Sequence, residues 1–218
     1  MAQEDVPYVV TEYLAHFAEG FFARLGPRFL AAHTAAHLDS PHARCLIAEH
    51  GGERAGFLIG LTDPAGHRQH LVQRHGRGLA LRGTAALLVR PALAAYFART
   101  RAVRYTREYL VRRLRPAEEA RSGRPGPDER VAVLAYLVVS DVVRFRGLGT
   151  ALVDGFLREA SAAGCDRVDL VTVAGAGGAG GFYERLGWRF TGHVRTTDGR
   201  TLSTYSHALT APHPPHPP

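Results

Sequence analysis

In the last third of the chain the apolar positions change period from strand to helix and back. Val131 to Val139 is apolar on both parities, the pattern of a strand buried on both faces. Leu148, Leu152, Phe156 and Ala160 then recur every four residues and place an apolar stripe along one helix. Arg167 to Val173 reads as a second strand, followed by a Gly/Ala-rich loop, a short helix over Ala179 to Leu186, and a closing hairpin. The hairpin strands, Trp188 to Arg195 and Arg200 to His207, flank an Asp198-Gly199 turn. Upstream, Asp5-Val6-Pro7 opens a helix with an N-cap and a first-turn proline, and Tyr8, Tyr13, Phe17 and Phe21 follow at roughly helical spacing. Gly26-Pro27 ends it. Phe29 to Leu38 is a second short helix, and Ala43 to His50 and Arg54 to Leu61 pair as strands around Gly51-Gly52. Between these halves, Leu87, Leu88, Leu93, Phe97, Val103, Leu110 and Leu114 lie near helical spacing with arginines between them. They predict two or three amphipathic helices, broken near Gly76–Gly78, Gly83 and Pro91. Arg115 to Arg130 reads as a linker, and the Pro/His-rich end as an irregular tail.

Composition narrows the classes. With 218 residues and 45% apolar content the chain can bury one sizeable core, and no window is apolar enough for a membrane-spanning helix. Met1 to Asp5 is polar and acidic, unlike the start of a signal peptide. Cys45 and Cys165 are too few for a disulfide framework or a Cys-based zinc site, so the expected location is the cytoplasm. All 27 basic residues are arginine, which excludes Schiff-base chemistry through lysine. The net charge of +7 is uneven: residues 66–116 carry 12 arginines against Glu108 alone, which makes that stretch +11 and the remainder −4. Such asymmetry suits either a solvated helical face or a cationic surface meeting an acidic carrier protein, a membrane surface or an anionic substrate. Reversing Arg101, Arg104 and Arg112 to Glu distinguishes them: a steering surface predicts weaker association with the anionic partner, chiefly at low salt, where screening is weakest.

Candidate chemistry sits between the buried strand and its helix, in Arg144-Phe145-Arg146-Gly147-Leu148-Gly149-Thr150. The glycines allow close backbone approach, the helix start offers unpaired N–H groups, and the arginines add charge-assisted donors, as a diphosphate cradle requires. Thirty-two residues beyond Gly149 begins Gly181-Phe182-Tyr183-Glu184-Arg185-Leu186-Gly187-Trp188. The two motifs together resemble the GCN5-related N-acetyltransferase (GNAT) family, well over Val131 to Leu209 and more weakly over Tyr13 to Asp63. The resemblance implies an α/β fold with a mixed, mostly antiparallel central sheet flanked by helices. It would span residues 1–211 as a single acyl-CoA N-acyltransferase domain. The basic helical insertion and linker of residues 66–130 would lie between the third and fourth family strands, and residues 212–218 would form the disordered tail. Because a helix opens at Val6, the family's first strand is expected to be missing or vestigial.

By position, the resemblance implies that Leu137, Val138 and Val139 meet the pantetheine arm of acetyl-CoA through backbone hydrogen bonds, and that Phe145 to Thr150 hold its pyrophosphate. Tyr183 would protonate the departing thiolate. Two positions depart from the family pattern: Ala176 stands where many members have asparagine, and Val133 to Leu137 carries no glutamate base. Glu49, His50, Asp141 and His193 are candidate bases. The acceptor is expected to be a small-molecule or peptide amine. The alternatives are an enzyme using a longer acyl-CoA or an acyl carrier protein, and a non-catalytic coenzyme-binding module.

The remaining constellations favour bland readings. His33 and His37 are spaced for one helical face, but no glutamate follows as in H-E-x-x-H and no third ligand is evident, so surface histidines are expected. His67, His70 and His75 would extend the positive charge of the basic segment, and no metal is expected. Cys45 reads as a strand residue of the core and Cys165 as a helix-end residue. The basic segment has no zinc spacing, RNP strands or clear helix-turn-helix, which argues against nucleic acid as a partner.

Overall fold

The computed structural model describes residues 1–18, 20–90, 94–95, 129–141, 147–175, 178–196 and 199–209. Most of the basic segment expected as an insertion, including Arg101, Arg104 and Arg112, and the residues beyond 209 lie outside them. Helices α1 (Val6–His16), α2 (Phe21–Arg24) and α3 (Pro27–Leu38) precede the hairpin β1 (Ala43–His50) and β2 (Glu53–Leu61). A helical stretch follows as α4 (Pro64–His70), a π-helical turn (Leu71–His75) and α5 (Gly76–Leu88). Then come β3 (Val131–Val139), α6 (Leu148–Ala162), β4 (Arg167–Val173), α7 (Gly180–Arg185), β5 (Arg189–Arg195) and β6 (Thr201–Ala208). The strands form one sheet in the order β1-β2-β3-β4-β6-β5, in which only β3 and β4 run parallel. Residues 1–12 contain no strand, as expected of a chain whose first helix starts at Val6.

The sheet is buried on both faces over β2 and the adjoining part of β3, while β5 is largely exposed. On one, Val9, Leu30, Phe57, Ile59 and Val138 pack under α1 and α3; on the other, Leu58, Leu134, Val153, Phe156 and Val168 pack under α6. The α6 stripe read from the sequence is this second core, with Leu152, Phe156 and Ala160 all buried. Phe156 fits because β2 has a glycine beneath it: a Cβ on Gly60 would lie 2.1 Å from the Phe156 ring. Gly60→Ala should therefore destabilise the fold by about 1–3 kcal/mol, the range for overpacking a filled core. A lower urea midpoint, partly restored by a second substitution Phe156→Leu, would report it.

Three local expectations are corrected. Asp5 stands at the N-cap position of α1, but its carboxylate does not cap the helix; it accepts from the Ala2 N–H and from Arg54 Nε, both at 2.6 Å. Helix does not break at Gly76–Gly78 or Gly83. It runs on to Leu88 and packs Leu79, Ala86 and Leu87 against Leu25 and Phe29, and Gly83 lies over the Phe29 ring, where tertiary contact outweighs glycine's low propensity. The start of this stretch is capped by Asp63, which accepts from the N–H groups of Ala65 and Gly66.

The third correction concerns histidines. His33 and His37 are not surface residues: His33 stacks on Phe22 with ring centroids 4.7 Å apart, and His37 is buried against His67 at 4.6 Å. His67 Nδ1 lies 2.9 Å from the buried Ser40 hydroxyl, and its burial keeps the imidazole neutral near pH ~7, so this histidine adds no charge to the basic face. Burial, with smaller contributions from neighbouring imidazoles, pushes His33 down to about 3 and His67 down to about 4. In the unfolded chain these groups protonate near pH ~6.5. Stability present above that value should therefore be lost as pH falls from ~6.5 toward about 4, because the unfolded state takes up protons first. Urea midpoints across this window should fall, and His67→Gln should flatten the slope.

Candidate active site

Strand β3 contains an irregularity that its sequence hides. Tyr136 pairs with Ile59 and Leu134 with Gly60, so Ala135 is an extra residue, a β-bulge. The bulge switches the parity of the strand: Ala132 and Leu134 face α6, whereas Tyr136 and Val138 face α1 and α3. The apolar run on both parities is thus the sum of two half-strands facing opposite ways, as a one-residue slip dictates. Pairing with β4 ends at the same place, at Leu134 with Leu170. Beyond it, β3 pairs only with β2, and Val171–Val173 of β4 pair only with β6, leaving a gap between the two parallel strands.

Backbone alternation decides what faces the gap. The Ser140 N–H donates to the Ala55 carbonyl at 2.9 Å, which places the backbone groups of Val138 and Tyr136 on the β2 side. Those of Leu137 and Val139 consequently point toward β4. The N-terminus of α6 reaches the same place. Gly147 has φ +78° with open space where a Cβ would be, and Ala151 N–H makes the first helical bond to its carbonyl. The N–H groups of Leu148, Gly149 and Thr150 have no helical carbonyl to bond, and among the described residues no side chain caps them. A Cβ on Gly149 would stand 3.3 Å from the Phe182 ring and 3.6 Å from Val139 Cγ2. Three segments remote in sequence, the end of β3, the start of α6 and the start of α7, therefore meet.

Tyr183 follows Phe182 with ring centroids 5.1 Å apart and is only 5% exposed. Trp188 at 5.5 Å and Tyr205 at 6.2 Å complete its surroundings. The helix carrying it is pinned: Tyr205 donates its hydroxyl to Glu184 at 3.0 Å, and a Cβ on Gly180 would lie 2.4 Å from that hydroxyl. Burial pushes the Tyr183 hydroxyl upward, so it stays protonated through the neutral range. Arg144, Phe145, Arg146 and Ala176 lie outside the described residues.

The candidate bases are scattered. Glu49 and His50 end β1 beside its hairpin turn, and His193, on edge strand β5, meets the Ser203 hydroxyl at 3.3 Å. Asp141 follows β3 and lies 3.6 Å from His16 Nε2, while His16 Nδ1 lies 3.7 Å from Glu12. This Glu12–His16–Asp141 row was not evident in the sequence, where 125 residues separate His16 from Asp141. Cys45 is partly buried, with its thiol pushed up to about 11, and Cys165 is buried, donating to the Thr62 carbonyl at 3.3 Å. Neither is placed as a nucleophile.

The gap between parallel strands beside a glycine turn is where comparison with known proteins becomes informative. The model of the acetyltransferase (GNAT) family matches residues 10–188. The chain belongs to the GNAT family. Similar solved structures include aminoglycoside 6'-acetyltransferase type Ii, 14% identical, covering 98% of this chain and 97% of that one, with a TM-score of 0.56. An aminoglycoside 6'-N-acetyltransferase complexed with coenzyme A is 13% identical over 96% of this chain and 92% of its own, also at 0.56. Ard1 from Thermoplasma volcanium is 15% identical over 96% and 95%, again at 0.56. At these identities the likeness is one of fold. No curated protein sequence matches the chain. The GNAT sheet is thus present with its mostly antiparallel, helix-flanked architecture, and among the described residues no helix is long and apolar enough to cross a membrane.

Proposed function

We propose that this GNAT protein transfers the acetyl group of acetyl-CoA to a primary amine by direct attack in a ternary complex. The observation that carries the reading is the convergence of Val139, Gly149 and Phe182 at the gap between β3 and β4, beside buried Tyr183. In this reading the outward backbone groups of Leu137 and Val139, with Val138 between them, bind the pantetheine arm. The N–H groups of Gly147, Leu148, Gly149 and Thr150 receive the pyrophosphate at the positive end of α6, assisted by Arg144 and Arg146 on either side of Phe145. The amine lone pair attacks the thioester carbonyl, forming a C–N bond and a tetrahedral oxyanion. The C–S bond then breaks, and Tyr183 gives its proton to the thiolate. The ammonium proton leaves to solvent, and Tyr183 is reprotonated from there.

The acceptor is a small-molecule or peptide amine, consistent with the aminoglycoside substrates named for two structural neighbours. The test is a coenzyme-binding titration combined with a screen of amines against acetyl-CoA and longer acyl-CoAs, read by thiol release and product mass. Acetyl transfer to an amine is expected. Transfer only from longer donors would replace the acetyl assignment, and binding without transfer to any amine would leave a coenzyme-binding module.

A further inference from the structure

We propose that Asp39, His70 and His75 form a binding site for a divalent ion of the zinc class, which ties the inserted helical stretch to the end of α3. Their ligand atoms all lie within 4.8 Å of one another. Both imidazoles address the same oxygen: Asp39 Oδ2 stands 3.1 Å from His70 Nε2 and 2.9 Å from His75 Nε2. Tetrahedral zinc, with bonds of about 2.0–2.1 Å, holds its ligand atoms roughly 3.3 Å apart. Opening the two Asp39 contacts by a few tenths of an ångström, with the two imidazole nitrogens brought from within 4.8 Å to the same spacing, would admit the ion.

The helix itself is shaped for this convergence. On an α-helix, residues five apart diverge by about 140° and face different ways. Between His70 and His75 the chain instead makes the π-helical turn Leu71–His75, which winds more slowly and brings both imidazoles to one side. Asp39 adds a second indication. It is the C-cap of α3, so its carboxylate sits at the negative end of a helix, where a cation is favoured and an anion is not. Its side chain is 47% exposed, those of His70 and His75 14% and 30%, so one side of the trio opens to solvent. An ion can enter there and keep a water as its fourth ligand. Two imidazole nitrogens and one carboxylate select zinc-class ions over magnesium or calcium, which prefer oxygen.

The ion would join α3 to the insertion beside the buried His37–His67 contact and the Ser40–His67 hydrogen bond. It would thereby stabilise the seating of that insertion on the GNAT core, whatever the acceptor.

The test titrates the full chain with Zn2+, after replacing His213 and His216 of the tail by alanine, and follows bound zinc by equilibrium dialysis. One tightly bound ion per chain is expected, unaffected by excess Mg2+. Asp39→Ala, His70→Ala and His75→Ala should each weaken it by at least about tenfold, since even the loss of an outer-shell partner costs that much. His50→Ala should not. Because a ligand variant could misfold, Co2+ is also added to the unaltered chain, and the ring protons of His70 and His75 should show the largest paramagnetic shifts. If zinc is not retained, the trio is a hydrogen-bonded ion pair only. Undiminished binding in all three variants, or cobalt shifts centred on other histidines, would equally overturn the proposal.

Discussion

Replacing Gly149 with Glu is expected to abolish acetyl-CoA binding, weakening it by at least about 100-fold, or close to 3 kcal/mol. The site has no room and the wrong sign of charge for that side chain. A Cβ there already touches Phe182 at 3.3 Å and Val139 at 3.6 Å, so the carboxylate must turn toward the open N-terminus of α6. It would occupy the anion site, accept the N–H groups offered to the pyrophosphate and repel the coenzyme. Charge-assisted hydrogen bonds are worth about 1.5–3 kcal/mol each, so losing one and adding repulsion accounts for the magnitude. Gly149→Ala separates size from charge, and should bind far better than the Glu variant. Gly147→Glu should act similarly, with an added backbone cost of about 1–3 kcal/mol because Gly147 has φ +78°. Calorimetric affinity equal to that of the unaltered chain in both Glu variants would move the cradle elsewhere.

Tyr183→Phe should lower kcat by about 100-fold while changing coenzyme affinity little, as expected when a proton donor acting only in the transition state is removed. The ring is held by Trp188, Phe182 and Tyr205, so phenylalanine keeps the packing and removes only the oxygen. Since burial raises the Tyr183 hydroxyl, its proton is present throughout the neutral range, and the loss should be uniform there. Unchanged turnover at all pH values would reduce Tyr183 to a core residue.

The site is legible in the sequence to the extent that its parts are local. Gly147 could be recognised because a left-handed turn at a helix start needs glycine, Gly149 because close backbone approach needs one, and Tyr183 because it stands in a compact motif. Strands β1, β3 and β4 could be delimited because their apolar runs end at turn residues. The bulge at Ala135 was not legible, because a strand buried on both faces has the same composition before and after a parity switch. The contact of His16 with Asp141 gave no signal, since their approach depends on how α1 lies across β3.

The histidines mark the same boundary. Sequence spacing alone placed His33 and His37 on one helical face but could not tell that face from solvent, and the structure buries His37 against His67 from the insertion. His70 and His75, five apart, read in the sequence only as added positive charge, and the π-turn brings them onto Asp39. Local chain chemistry, meaning period, glycine turns and apolar stripes, determined most of the elements, and the two motifs at Arg144–Thr150 and Gly181–Trp188 carried the resemblance to the family and with it the sheet class. Tertiary packing alone decided the gap between β3 and β4, the burial of the histidines and the meeting of Val139, Gly149 and Phe182. Those features arise from contacts between segments whose separation in the chain carries no local energetic signature.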